Sequence, residues 1–323
     1  MRFATLPNGT PDGRLHIVSK DNKRCAPAVA VETLQSLMEN WDSYAPALEG
    51  EYASLNDAGG QNFDPTATLA PLPRAWQWLD GSAFDSHGDL MQKVFNLEPS
   101  PKGRPLMYQG MSDKFYGPAD DVLLPSEDDG IDFEGEFGVI CDSVPMAADA
   151  AEANAHIRLV VQINDWSLRT LAPVEMKTGF GWIHAKPACS VAPVAITPDE
   201  LGGAWRDARV DLPLIVDLNG ERFGAAEGYP MSYGFDELVA HAARTRALVA
   251  GTIIGSGTVS NENFREIGSS CIAERRSIEL LDQGEATTPY MSFGDRVRME
   301  CQTRDGRPLF GQIAQSVVQS AGG

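Results

Sequence analysis

Turn-forming residues set the main limit on what this chain can fold into. Its 323 residues include 31 glycines and 21 prolines, and a chain interrupted that often builds short strands joined by turns more readily than long helices. Strands are predicted over 131–140, 157–163, 212–218 and 297–301. The last two lead into Asn219-Gly220 and Asp305-Gly306, pairs suited to the left-handed backbone of hairpin turns. Near the start, residues 3–6 and 15–19 form a predicted hairpin across Asn8-Gly9 and Asp12-Gly13. An amphipathic helix follows, with Leu34, Leu37, Met38 and Trp41 at helical spacing. Pro71-Leu72-Pro73-Arg74 disfavours helix before each proline, which places a boundary between a small N-terminal domain, 1–75, and a larger, mostly β domain, 76–323. Two packing helices are expected in the larger domain. One is Ala-rich, over 146–155; the other is opened by Asp236 as N-cap, with Leu238, Val239, Ala242 and Ala243 on one face.

Charge narrows the partners. With 26 Lys and Arg against 45 Asp and Glu, the net charge is −19, so the long-range field repels nucleic-acid backbones and anionic membranes. No run approaches the roughly 20 apolar residues of a membrane span, and the first residues lack the basic and apolar blocks of a leader peptide. The expected location is cytoplasmic. Cys25, Cys141, Cys189, Cys271 and Cys301 are odd in number and contain no C-x-x-C pair, which fits reduced core thiols better than a disulfide frame or a zinc site. The G-x-S-x-G, P-loop and H-E-x-x-H signatures are absent. The run Gly251-Thr252-Ile253-Ile254-Gly255-Ser256-Gly257 lacks dinucleotide-binding spacing and reads as a turn.

The segment Ile131-Asp132-Phe133-Glu134-Gly135-Glu136-Phe137-Gly138-Val139-Ile140 carries the chemical signal. On a strand, Glu134 and Glu136 share one face about 7 Å apart, opposite Phe133, Phe137 and Val139. By itself this is also the pattern of a strand with a solvated acidic face. Asp165, at the end of the apolar run 157–163, changes the balance, because a carboxylate there needs a partner. Converging carboxylates hold one another's protons on unless a divalent cation sits among them, and all-oxygen ligation favours Mg²⁺, Mn²⁺ or Ca²⁺ over zinc.

The chain from about Trp78 onward resembles the fumarylacetoacetate hydrolase family. The resemblance rests on Glu134-x-Glu136, Asn164-Asp165-Trp166-Ser167-x-Arg169, Gly251-Thr252, Gly268-Ser269-Ser270-Cys271-Ile272-Ala273-Glu274 and Gly294-Asp295-x-Val297. It implies a mixed α/β, β-rich fold, with a β-roll catalytic domain of that family's type and a small N-terminal domain. It also implies a homodimer and a metal site made by Asp80, Glu134, Glu136 and Asp165. His87, seven residues after Asp80, would be the catalytic base, oriented by Glu274, with Glu262 and Glu266 as nearby alternatives. Lys186 and Arg169 would be cations beside the metal, with Arg169, Tyr108 and Thr252 touching a small anionic keto-acid substrate and His184 lining the site. The sequence departs from the animal enzymes at Ala172, where they have a glutamine, at Gly81-Ser82, and in its shorter N-terminal unit.

The resemblance implies hydrolysis of a carbon–carbon bond in a β-diketone acid, with fumarylacetoacetate of tyrosine catabolism first. Acylpyruvate hydrolysis, oxaloacetate decarboxylation and 2-oxo acid isomerisation are alternatives on the same site. A binding protein stapled by its cation is the non-enzymatic alternative.

Overall fold

Strands buried on both faces must be apolar nearly throughout, and two segments meet that demand. All seven residues of Gly135–Cys141 and seven of the eight in Ile157–Asn164 are buried. In the computed structural model, which describes residues 1–95 and 103–321, these two strands pair antiparallel, Val160 with Val139 and Ile163 with Glu136. They form the centre of an eleven-stranded sheet. In one direction the sheet continues through Ala195–Ile196 into Arg2–Leu6, Arg14–Val18, Arg24–Pro27 and Gln61–Asn62. In the other it continues through Thr252–Gly255 and Trp78–Ser82 to the edge strand Leu106–Gly110.

Each face of this sheet buries a separate apolar set. On one side Phe3, Leu34, Leu37 and Leu48 pack with Trp78, Ile140, Leu159 and Val161, so the helices Leu34–Glu39 and Trp41–Asp57 cover the central strands. On the other, Phe137, Val139 and Val160 meet Leu214, Val216, Met299 and Ile313. Those belong to a second sheet built from Val122–Leu124, Pro213–Leu218, Glu221–Glu227, Arg296–Gln302 and Pro308–Gln319. Its first hairpin turns on Asn219 at φ 52° and Gly220 at φ 84°, the left-handed pair that this dipeptide favours. The result is a mixed α/β, sheet-rich fold with an N-terminal domain.

Several elements differ from expectation for local reasons. The N-terminal strands have no sheet of their own, because Phe3 pairs with Ala195. Residues 131–140 break at Phe133 and Glu134: Ile131–Asp132 pairs with Ser167–Leu168, and Gly135–Cys141 joins the main sheet. At the break, the Glu134 amide donates to the Asn164 side chain instead of a ladder carbonyl. Asn40 divides the first helix into two. The Ala-rich helix contracts to Ala150–Ala155 because Asp149 caps it, accepting from the Glu152 amide. The helix expected to open at Asp236 has Gly234 as its N-cap and Asp236 in its first turn. The run 251–257 holds the strand Thr252–Gly255 where a turn was expected. The helices Asp85–Phe95, Ala172–Thr178, Phe264–Ile267 and Ile272–Gln283 escaped the sequence reading. All five cysteines are free and buried. No helix among the described residues is long and apolar enough to cross a membrane.

Candidate active site

Three carboxylates meet where the strand ends converge. Asp80 comes from Trp78–Ser82, Glu136 from Gly135–Cys141, and Asp165 follows Asn164 at the end of its strand. Between the first two runs Thr252–Gly255, with Gly255 registered against Asp80 on one side and Gly138 on the other. A Cβ at Gly255 would stand 2.5 Å from Asp80 Oδ1 and 2.9 Å from Glu136 Oε2, so the missing side chain is what lets these carboxylates face each other. One oxygen each of Asp80, Glu136 and Asp165 lies within 4.8 Å of the others, and all three residues are buried.

The electrostatics of this triad suit a cation. Burial first, then repulsion from Asp165, pushes the Asp80 carboxyl well above the usual carboxylate range. Burial, then Asp80, does the same to Glu136. The Gly257 amide donates to Asp80 at 3.0 Å, yet neither Glu136 oxygen has a hydrogen-bond partner among the described residues. A buried carboxyl without partners is costly, whether charged or neutral. A divalent ion would supply the missing partner and reverse the repulsion, and an oxygen-only donor set fits a hard cation.

Glu134, expected as a fourth ligand, faces cations. Its oxygens accept from Arg169 Nη2, from Ser167 Oγ at 3.1 Å and from Lys186 Nζ at 2.7 Å. Burial opposes its ionisation, but Arg169 and Lys186 prevail and hold its carboxyl below the usual range. Lys186 Nζ also donates to Asp165 at 2.6 Å. Burial works against its charge, while Asp165 and Glu134 raise its proton affinity above that of an ordinary lysine. Asp165 further accepts from the Tyr108 hydroxyl at 2.6 Å and from the Cys189 thiol at 3.0 Å. Trp182 stands edge-on to the Tyr108 ring at 6.0 Å.

The remaining candidate groups lie on two of the unexpected helices. His87, in the first turn of Asp85–Phe95, has Nδ1 2.9 Å from Oε2 of Glu274, the third residue of Ile272–Gln283. The histidine is 19% exposed and the glutamate fully buried. Glu262 and Glu266, the alternatives to Glu274, are exposed.

Thr252 is not brought to the site. It opens its strand three residues before Gly255, and its hydroxyl donates to the Val249 carbonyl at 2.7 Å. His184 is also outside, 78% exposed and paired with Glu175. Sequence reasoning missed Gly255, Gly257, Ser167, Cys189 and Asp132. Only the close glycine spacing at the end of an apolar run could have pointed to the first two.

Gly255→Ala is expected to weaken Mn²⁺ binding at least tenfold by isothermal titration. Trp78 must shift as well, at a stability cost of about 1–3 kcal/mol. An unchanged affinity would show that the carboxylates need no such clearance.

Comparison with known proteins adds the relationships. The sequence model described as fumarylacetoacetate (FAA) hydrolase C-terminal matches residues 77–318, and that of fumarylacetoacetase N-terminal domain 2 matches 1–74. A 2,4-didehydro-3-deoxy-L-rhamnonate hydrolase of Sphingomonas sp. is 27% identical over 157 residues, 48% of this chain and 52% of that protein. The mitochondrial oxaloacetate tautomerase FAHD2B of Homo sapiens is 24% identical over 163 residues, 50% and 49% of the two chains. The chain therefore spans about half the length of the curated relatives it matches. Among solved structures, maleylpyruvate hydrolase from Sphingobium sp. SYK-6, in complex with manganese(II) and pyruvate, superposes with a TM-score of 0.67 at 18% identity. That match covers 99% of this chain and 100% of the other. The fumarylacetoacetate hydrolase of Exiguobacterium antarcticum gives 0.69 at 16% identity, with the same coverage. These likenesses establish a shared fold.

Proposed function

Since the chain belongs to the fumarylacetoacetate hydrolase family, we propose that it is a divalent-cation-dependent hydrolase of a carbon–carbon bond in a β-diketone acid, with fumarylacetoacetate, cleaved to fumarate and acetoacetate, as the leading substrate. The observation that carries this reading is a buried carboxylate triad with a partnerless Glu136, in a chain that also builds a histidine–glutamate dyad. Asp80, Glu136 and Asp165 would hold Mg²⁺, Mn²⁺ or Ca²⁺, with Glu134 as the neighbouring fourth carboxylate. When bound, the cation supplies positive charge for an enolate leaving group.

The protein's own groups account for the proton movements. Glu274 engages Nδ1 of His87, which leaves Nε2 to take a proton from water. The hydroxide so formed attacks the substrate carbonyl. The carbon–carbon bond then breaks, its electron pair passes to the departing carbon, and His87 returns the proton there. Lys186 and Arg169 offset the substrate's negative charge and that of the tetrahedral oxyanion. Tyr108 lines the substrate side. Thr252 drops out of the substrate-binding set because of where it lies. We place the enzyme in the cytoplasm as a homodimer.

A second reading keeps the site and changes the outcome. Relatives carrying the name oxaloacetate tautomerase favour proton transfer on a 2-oxo acid without cleavage; acylpyruvate hydrolysis and oxaloacetate decarboxylation are further outcomes the same groups would allow. A cation that merely stapled the fold would need no base, so the dyad speaks against a non-catalytic role. Product analysis on fumarylacetoacetate, an acylpyruvate and oxaloacetate separates these readings. Activity is expected to vanish on exhaustive chelation and to return with Mg²⁺ or Mn²⁺; full turnover by metal-free protein would refute the cation requirement.

A further inference from the structure

We propose that Asp132 is a positioning residue that locks Arg169 and the His87–Glu274 dyad into one fixed relation. The proposal rests on the reading above for what the two groups do, and on the geometry alone for their linkage. Asp132 is fully buried and stands outside the carboxylate triad. Its Oδ1 accepts from the Ile272 amide at 2.7 Å. Its Oδ2 accepts from the Ala273 amide at 2.9 Å and from Arg169 Nε at 2.8 Å.

Those two amides open the helix Ile272–Gln283, and the next residue is Glu274. The first amides of a helix have no partner within it and sit at the positive end of its dipole, so a buried carboxylate there fixes where the helix begins. Capping alone needs no arginine. Asp132 adds one, and the same guanidinium reaches Glu134 through Nη2. With three donors on two oxygens, the carboxylate has no rotation left. Arg169 therefore cannot swing relative to Glu274 without breaking a charged bond in the interior. Residues separated by 105 positions in sequence, Arg169 and Glu274, are held through one side chain that belongs to neither.

The decisive variants are Asp132→Asn, which keeps the size but offers one acceptor and an amide that opposes the surrounding donors, and Arg169→Lys. On whichever acid of the panel the wild type turns over, Asp132→Asn is expected to lose about 10- to 100-fold in kcat. Its KM should change less than threefold, and its Mn²⁺ affinity should be retained. The double variant should be little slower than the slower single one. Unchanged kcat, or losses that multiply, would overturn the proposal.

A second arm needs no substrate. In Arg169→Lys, hydrogen exchange at the Ile272 and Ala273 amides is expected to quicken at least tenfold, because Asp132 has lost its anchor; unchanged exchange would overturn the linkage. If the wild type turned over none of the acids, the functional reading would fail and the exchange arm would still decide. The exchange arm likewise decides if Asp132→Asn does not fold.

Discussion

His87→Ala is expected to lower kcat by roughly 10² to 10⁴, the usual scale for a lost general base, with a much smaller change in KM. Glu274 is the one side chain that His87 bonds among the described residues, and no triad carboxylate is bonded to it, so cation binding should survive. The alanine variant also leaves Glu274 buried without a donor, which costs about 1–3 kcal/mol of stability. His87→Asn separates the two effects: its amide can donate where Nδ1 did, restoring stability without restoring a base. Glu274→Gln should lose less than His87→Ala, and the double variant should be little worse than His87→Ala alone, since the pair acts as one unit. Wild-type turnover in His87→Asn, or independent losses in the double variant, would remove the dyad from the mechanism.

The second large effect concerns Glu136 and reverses sign with conditions. In wild-type protein, cation at a hundredfold excess over its dissociation constant should add about 2.7 kcal/mol of stability, seen as a rise in melting temperature that grows with concentration. In Glu136→Met the response should disappear. Without cation, however, the variant should melt higher than wild type, because a buried carboxyl with no partner has been replaced by an apolar chain of similar length. An ordinary core defect lowers stability under both conditions. A variant less stable without cation, or one that kept the cation response, would exclude Glu136 as a ligand.

What could be read in the sequence depended on the range of the forces involved. The hairpins at Asn219-Gly220 and Asp305-Gly306, and the buried strands around Val139 and Val160, are fixed by local turn chemistry and apolar runs, and they lie where the pattern places them. The start of the helix Ile272–Gln283 was not legible because its N-cap is Cys271, outside the usual capping residues, and its first amide is held by Asp132, 140 positions away. The break at Phe133 and Glu134 was not legible at all: it depends on the Asn164 side chain, 30 residues away. The candidate site divides the same way. Asp80, Glu136, Asp165, His87, Glu274, Lys186 and Arg169 were named through the family resemblance that the motifs carry. Asp132 and Gly255 were not, since one acts through two partners distant in sequence and the other through a side chain it lacks. Thr252 was misplaced because a Gly-Thr pair carries no sign of which end of a strand it occupies.

The parallel pairing of Trp78–Ser82 with Thr252–Gly255 has a consequence for how the chain reaches its native state. Asp80 and the Gly257 amide are 177 positions apart, and His87 and Glu274 are 187 apart, so neither contact can form until most of the polypeptide has been synthesised and collapsed. Such non-local closure makes folding slow. During that interval the apolar edge of Gly135–Cys141, later covered by Thr252–Gly255, is open to strands of other chains. The strands Arg296–Gln302 and Pro308–Gln319, which cover one face of the main sheet, leave the ribosome later still. A nascent chain halted before residue 274 would carry the carboxylates without the glutamate that engages His87.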